Sequence, residues 1–285
     1  MTDRVFVLGA GRAGLGLARA LGLCGITVLG VHGRRARREG EFDVTAGLIP
    51  PAIADASAIL VAVRDGDLAR ALQSLSTVSL AADSAVLHLS GATDPEGLET
   101  IRGRGIAAGT FHPLVPLAGP DDAPARLRGA YIGLDGDQAA RAAGVRLATA
   151  LGAHTLDIPA GAKPIYHAAA VLASNFPVVL IGLAEEMLAS AGVESGAARG
   201  AVRALLAGAS ANLGDRSAAE ALTGPVARGD GQTVSRHLDA LATGPAEIRN
   251  VYIALSAAAA ALAATGSAQV AGLAEVQRIL RQAQA

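Results

Sequence analysis

The sequence predicts an α/β chain, a doubly wound parallel sheet followed by an all-helical C-terminal domain. Short runs rich in Val, Ile and Leu alternate with helix-periodic segments through the first half, glycines mark the joins, and the strand signal stops after Ile158. These runs are continuously apolar and do not alternate with polar residues, the pattern of strands covered on both faces by helices.

Taken in order, the strands fall at residues 4–8, 27–31, 58–63, 85–89, 106–111, 131–134 and 154–158. Residues 159–163 read as a linker of proline and small residues. Beyond it the chain is rich in alanine, but Leu, Val and Ile recur at helical spacing, which favours close-packed helices over disorder. The expected domains are therefore 1–158, nucleotide-binding, and 159–285, helical.

Composition removes several function classes. The 285 residues suit roughly two domains. Lys plus Arg number 24 against 25 Asp plus Glu, a net charge of -1, so the broad positive field of a nucleic-acid binder is missing. The lone Cys24 excludes an internal disulfide and a Cys-based zinc cluster, and it reads as a small buried filler on an apolar helix face. No metal site is expected. Residues 1–4 open no signal-peptide core, and the apolar stretches 168–183 and 254–264 read as buried helices and not as membrane spans. The first contains Asn175 and Pro177, and the second is short. A cytoplasmic protein with no membrane partner is expected.

The first strand runs directly into Gly9-Ala10-Gly11-Arg12-Ala13-Gly14, and a helix follows to Leu23. Strand before and helix after are the context the dinucleotide-binding fingerprint requires. Gly9 makes the tight turn, Gly11 lets the backbone approach a pyrophosphate, and Gly14 lets helix and strand pack closely. The helix N-terminus adds unpaired N–H groups. The first domain is thus expected to be Rossmann-type, with residues 9–14 against the cofactor.

The second strand ends in Val31-His32-Gly33-Arg34-Arg35, with no carboxylate to receive ribose hydroxyls. Guanidiniums at that position suit a ribose 2′-phosphate, Arg34 first and Arg35 second, so NADP(H) is the expected cofactor. Arg37 and Arg38 read equally well as a solvated face or as part of the site. The backbone at Ala62 and Val63 borders the same crevice, and Asp65 or Asp67 reads as the cap of the next helix.

Two further strand ends carry polar residues, His88-Leu89-Ser90-Gly91 and Phe111-His112-Pro113. Ser90 and His112 are candidates for substrate contact or for turn and core hydrogen bonds, whereas His88 reads as a satisfied core residue. The helical domain opens with Lys163-Pro164, and His167, Ser174 and Asn175 share a face with Lys163, with Pro177 kinking the helix beside them. Four polar groups on a greasy helix either tie helices together or protonate and polarise a carbonyl or imine under reduction. Residues 222–230 form a turn-rich loop in which Arg228 either holds a substrate carboxylate or pairs with Asp230, which can cap the following helix.

Residues 9–14, His88-Leu89-Ser90-Gly91, Phe111-His112-Pro113-Leu114, Tyr166-His167 with Ala173-Ser174-Asn175, and 222–230 with His237-Leu238 resemble the bacterial predicted oxidoreductases that join a Rossmann-like domain to a C-terminal helical domain of unknown function. The resemblance spans nearly the whole chain. That family is similar to the 6-phosphogluconate dehydrogenase, ketopantoate reductase and pyrroline-5-carboxylate reductase group, in which a helix just past the nucleotide domain presents a lysine and an asparagine one turn apart. Lys163 matches the lysine, His167 stands where the asparagine would be, and Asn175 lies two turns further on.

The resemblance implies ketopantoate as the first 2-oxo acid to try and a homodimer packed through the helical domains. The sequence reading is an NADP(H)-dependent oxidoreductase acting on a small carbonyl or imine held between the domains. Lys163 or His167 is the proton donor, Ser90, His112 and Asn175 position the substrate, and Ser174, Thr223 and Arg228 contact it. A nucleotide-binding sensor using the same fold without chemistry is the alternative.

Overall fold

The computed structural model describes residues 3–92, 97–266 and 271–284, so the first two residues of the N-terminal segment read for a signal lie outside the described part. The first half of the chain runs β1 (Arg4–Leu8), α1 (Arg12–Leu23), β2 (Thr27–His32), β3 (Arg37–Glu39), β4 (Phe42–Thr45), a 3-10 turn (Pro51–Asp55), β5 (Ala58–Val61) and α2 (Asp65–Ser76). It continues through β6 (Ala85–His88), α3 (Leu98–Arg102), β7 (Ala107–Pro113), α4 (Ala123–Leu127), β8 (Tyr131–Gly136), α5 (Gln138–Ala150) and β9 (His154–Asp157).

These strands form one sheet in the order β3-β4-β2-β1-β5-β6-β7-β8-β9. Successive residues of β1 face opposite ways, and both faces are dry. Val5 and Val7 pack with Leu17 and Leu21 of α1, Phe111 of β7 and Leu147 of α5, while Phe6 and Leu8 pack with Leu72 of α2, Ile101 of α3 and Ile53 of the 3-10 turn. That double covering is why the strands read as unbroken apolar runs.

The sheet is mixed and not wholly parallel, which corrects the expectation. β8 runs antiparallel to β7, and β3 antiparallel to β4, while the remaining pairs are parallel. The β3–β4 hairpin is absent from the sequence reading because its strands are short and charged. It turns at Gly40, whose φ of +59° suits glycine, and Arg38 faces Asp43 across it in a 2.8 Å ion pair. From β1 the chain proceeds to β2 on one side, and from β5 to β6 and β7 on the other. The order reverses between β1 and β5, and ligands bind at the carboxyl ends of strands where such a reversal falls.

The second half is helical: α6 (Lys163–Ser190), α7 (Ser195–Leu213), α8 (Ala218–Ala221), α9 (Gly231–Leu241), α10 (Ala246–Ala264) and α11 (Leu273–Gln284). Side-chain caps fix several starts. Glu194 accepts from the N–H groups of Gly196 and Ala197, Ser217 and Glu220 make a capping box, and Asp230 accepts from the Thr233 N–H as the sequence suggested. Val226, Val234, Leu238, Ile253, Val276 and Leu280 build a core among α9, α10 and α11.

The contacts divide the chain into two compact units, Met1–Asn175 and Phe176–Ala285. The division falls inside α6 and not at Ile158, because the first turns of that helix remain tied to the sheet through Lys163 and Tyr166.

Further sequence expectations are corrected. The 168–183 stretch lies in α6, which is largely exposed in the single chain and not buried. Its apolar residues run all round the helix. The 254–264 stretch, in α10, is covered only in part. Cys24 is exposed at the C-cap of α1, past the last buried residue of that helix, Leu21. Neither Asp65 nor Asp67 caps α2, whose N-cap is Arg64 with no side-chain cap bond; both aspartates stand in its first turn, where the helix dipole favours negative charge.

Candidate nucleotide and reaction site

A cavity of about 810 Å³ opens over the carboxyl ends of β1, β2 and β5. Its floor is the glycine turn. A Cβ on Gly9 would collide with the Ala62 carbonyl, and one on Gly14 would collide with the Gly9 carbonyl, whereas a Cβ on Gly11 would meet nothing within 4 Å. Two glycines therefore permit close packing, and the third faces open space. Gly11 is also the N-cap of α1, which has no side-chain cap bond and no acidic residue in its first turn. Amide hydrogens and a positive dipole end thus meet the cavity without a protein partner, the chemistry an anionic pyrophosphate requires.

Arginines rim the opening. Arg34, Arg35 and Arg37 line it from the β2 side, and Arg64 and Arg70 from the β5–α2 side. Arg37 is fixed, donating to the Ala10 carbonyl at 2.8 Å and pairing with Glu39 at 2.7 Å, while Arg38 points elsewhere and pairs with Asp43. The two residues the sequence left together are thereby separated. Ala10, Ala62 and Val63 line the cavity as expected. Arg12 turns its guanidinium to the Ala118 carbonyl at 3.5 Å, and Ala13 stays in the first turn of α1. His32 is buried at the cavity edge with Nδ1 2.9 Å from Thr45 Oγ1, and burial holds its pKa below the ordinary value.

Along the same sheet edge the ends of β6 and β7 gather a second group. His88 has no exposed surface; Nδ1 accepts the Ser90 N–H at 3.2 Å and Nε2 lies 3.0 Å from Thr110 Oγ1. It is the satisfied core residue the sequence suggested. Ser90 is buried, and its hydroxyl accepts the Ala92 N–H at 3.4 Å. The His112 ring rests on Gly91, where a Cβ would come within 2.5 Å of the ring. His112 Nδ1 lies 2.8 Å from the Tyr166 hydroxyl, and the His167 ring meets His112 edge-on at 5.7 Å between centroids. His167 Nδ1 is buried with no hydrogen-bond partner among the described residues.

Beneath them Lys163, 1 % exposed, pairs with Asp135 at 3.3 Å. It is the only lysine in the chain. Burial first, then the charges of His167 and Lys163, push His112 down to about 4 against an opposing pull from Asp65, while burial and Lys163 push His88 to about 3. Burial raises the Tyr166 hydroxyl to about 12. At neutral pH the His88 and His112 imidazoles are therefore neutral and the Tyr166 phenol is protonated.

Lys163, His167, His112 and Ser90 thus lie at the sheet edge, but Ser174 and Asn175 do not join them. Both are exposed, and Ser174 donates to the Ala170 carbonyl at 2.8 Å and to Asn175 Oδ1 at 3.1 Å. Thr223 and Arg228 are exposed on a loop of the second unit, where Asp230 caps α9 and His237 bonds Tyr252 at 2.8 Å. Sequence reasoning missed Asp135, Thr110 and the role of Tyr166. Only the small neighbour Gly133, where a Cβ would collide with the Tyr166 hydroxyl, hints at the last.

A glycine turn at the reversal point of a doubly wound sheet, followed by a helical region, defines a Rossmann-like fold. Known proteins agree. Residues 130–259 match the family model described as a domain of unknown function, DUF2520. A Bacteroides fragilis protein provisionally described as an NADP oxidoreductase is 20% identical with a TM-score of 0.69, covering 90% of this chain and 98% of that one. Plasmodium falciparum pyrroline carboxylate reductase with NADP bound is 10% identical at 0.58, covering 97% and 98%. An Aspergillus terreus reductive aminase in complex with NADPH and ethyl-5-oxohexanoate is 19% identical at 0.57, covering 100% and 94%. No curated protein matches the sequence.

Proposed function

We propose that this chain is an NADP(H)-dependent oxidoreductase that reduces a small carbonyl or imine. The observation that carries the reading is the uncapped start of α1 at the floor of a cavity whose rim holds arginines where an NAD site would place a carboxylate. The residues fit the cofactor: the backbone from Gly9 to Gly14 would take the pyrophosphate, and Arg34 and Arg35 the 2′-phosphate. The similar Plasmodium and Aspergillus proteins hold NADP and NADPH, which supports the same cofactor.

When bound, the nicotinamide supplies a hydride. The chain supplies the proton and the orientation. His167 is the proton donor in preference to Lys163, because Lys163 is buried and engaged with Asp135, whereas the His167 ring stands at the cluster beside His112. His112, held by the Tyr166 hydroxyl and packed on Gly91, presents a neutral imidazole that orients the substrate oxygen or nitrogen, and Ser90 shapes the β6 end. Lys163 and Asp135 fix the start of α6 beneath that ring. The apolar surface of α6 and α7 is covered by a second copy of the chain in solution.

NADPH oxidation against a panel holding ketopantoate, other 2-oxo acids and cyclic imines tests the reading. His167→Gln should lower turnover at least tenfold on the responsive substrate with NADPH affinity unchanged. Unchanged turnover removes the assignment of the donor, and tight NADPH binding with no oxidation across the panel favours the sensor.

A further inference from the structure

The cavity has two guanidinium walls, and the sequence reading uses only one. β2 and β5 are the two immediate neighbours of β1 in the sheet, so the residues following each strand flank the glycine turn from opposite sides. On the β2 side stand Arg34 and Arg35. On the β5 side Arg64 is the N-cap residue of α2, and Arg70 lies one and a half turns along that helix on the stripe that also presents Asp67 and Ser74 to the cavity.

Several arginines of this unit outside the cavity are held by the protein itself. Arg19 binds Glu41 and Asp121, Arg104 binds the carbonyls of Leu75 and Val78, and Arg146 binds Asp3. Among the described residues the guanidiniums of Arg34, Arg35 and Arg64 have no hydrogen-bond or ion-pair partner. Arg70 has one, Asp67 at 3.0 Å, in a pair whose arginine is 80% exposed. Exposed pairs of this kind are weak, and a phosphate dianion competes for the guanidinium with more charge and more acceptor oxygens.

We infer, resting on the reading of this cavity as an NADP(H) site, that Arg64 and Arg70 form a second wall for the 2′-phosphoadenosine end, so that selectivity for the phosphorylated nucleotide is shared between the β2 and β5 sides. A phosphate monoester carries close to two negative charges at neutral pH, and guanidiniums on two sides neutralise it more fully than one strand end alone. Arg70 leaves Asp67 for the phosphate.

The test is calorimetric titration of the full chain with adenosine 2′,5′-bisphosphate and with AMP, using Arg64→Ala, Arg70→Ala, the double variant, and Arg128→Ala as a charge-matched control outside the cavity. Each cavity variant should lose about tenfold in affinity for the bisphosphate and less than twofold for AMP, the double variant should lose more, and the control should match the parent. Arg64→Lys and Arg70→Lys should recover part of the loss, which separates charge from folding. Parent-like bisphosphate binding by the double variant overturns the second wall while leaving the cofactor reading in place. Equal losses for AMP, or for the Arg128 control, overturn it as well. A parent chain that binds neither the bisphosphate nor NADPH defeats the cofactor reading itself.

Discussion

His88 shows what burying an ionisable group commits a residue to. Its ring is neutral in the fold, held below the ordinary imidazole value at about 3 chiefly by burial and then by Lys163. In the unfolded chain the same ring titrates near 6.5. Below that pH the unfolded state binds a proton that the folded state refuses, so stability is full above pH 6.5 and falls as the pH drops toward 3. One such histidine contributes a slope of about 1.4 kcal/mol per pH unit within that window. Denaturant unfolding at pH 7, 6 and 5 should therefore show stability declining, and His88→Gln, which keeps a partner for Thr110, should remove about one histidine's share of the slope. An identical pH slope in the variant would mean the ring is protonated in the fold. His112, held at about 4 by burial first, adds a similar slope that the variant leaves intact.

At the scale of the element, the β1 turn and α1 were legible because their chemistry is local: a strand, three glycines at fixed spacing and a helix specify one geometry. The same spacing yields a contrast between two glycines. Gly14 has no room, so Gly14→Ala should destabilise the fold by about 1–3 kcal/mol as well as weaken nucleotide binding. Gly11 has room and an extended backbone with φ of -88°, so Gly11→Ala should leave the melting temperature within a degree or two while abolishing NADPH binding, because the methyl group enters the space a pyrophosphate needs. Thermal melts with and without NADPH separate the two; normal NADPH affinity in Gly11→Ala would remove the pyrophosphate from that turn. What the sequence did not disclose depends on strand order. Arg64 and Arg70 become neighbours of the glycine turn only because β5 pairs with β1, and Tyr166 meets His112 only because α6 begins against β7 and β8. The helical arithmetic that grouped Lys163, His167, Ser174 and Asn175 was sound about the helix axis and silent about where the sheet ends. Lys163 and His167 therefore fall at the sheet and the later pair in the open.

For the molecule as a whole, the unanswered physical question is what covers α6. Ile165 is 72% exposed, Leu172 63% and Val178 70%, and α7 adds Leu205 at 72%. α6 and α10 are both long and apolar enough by composition to cross a membrane, whereas the proposed homodimer would cover α6 with a second copy. The helix starts with a lysine buried against Asp135 and carries Ser174, Asn175, Glu185 and Glu186 along its length, groups that a bilayer penalises and a protein interface can pair. Exposed apolar side chains along one helix are what the proposed homodimer would bury. Light scattering behind size exclusion should accordingly give twice the mass of one chain at micromolar concentration. Leu172→Glu combined with Val179→Glu places two charges on one face of α6, seven residues apart. That variant should elute as a monomer with unchanged helix content, since both side chains are already exposed within the single chain. A parent chain that runs as a monomer would end the case for the dimer, and one that pellets with neutral phosphatidylcholine vesicles while the double variant does not would assign this surface to lipid.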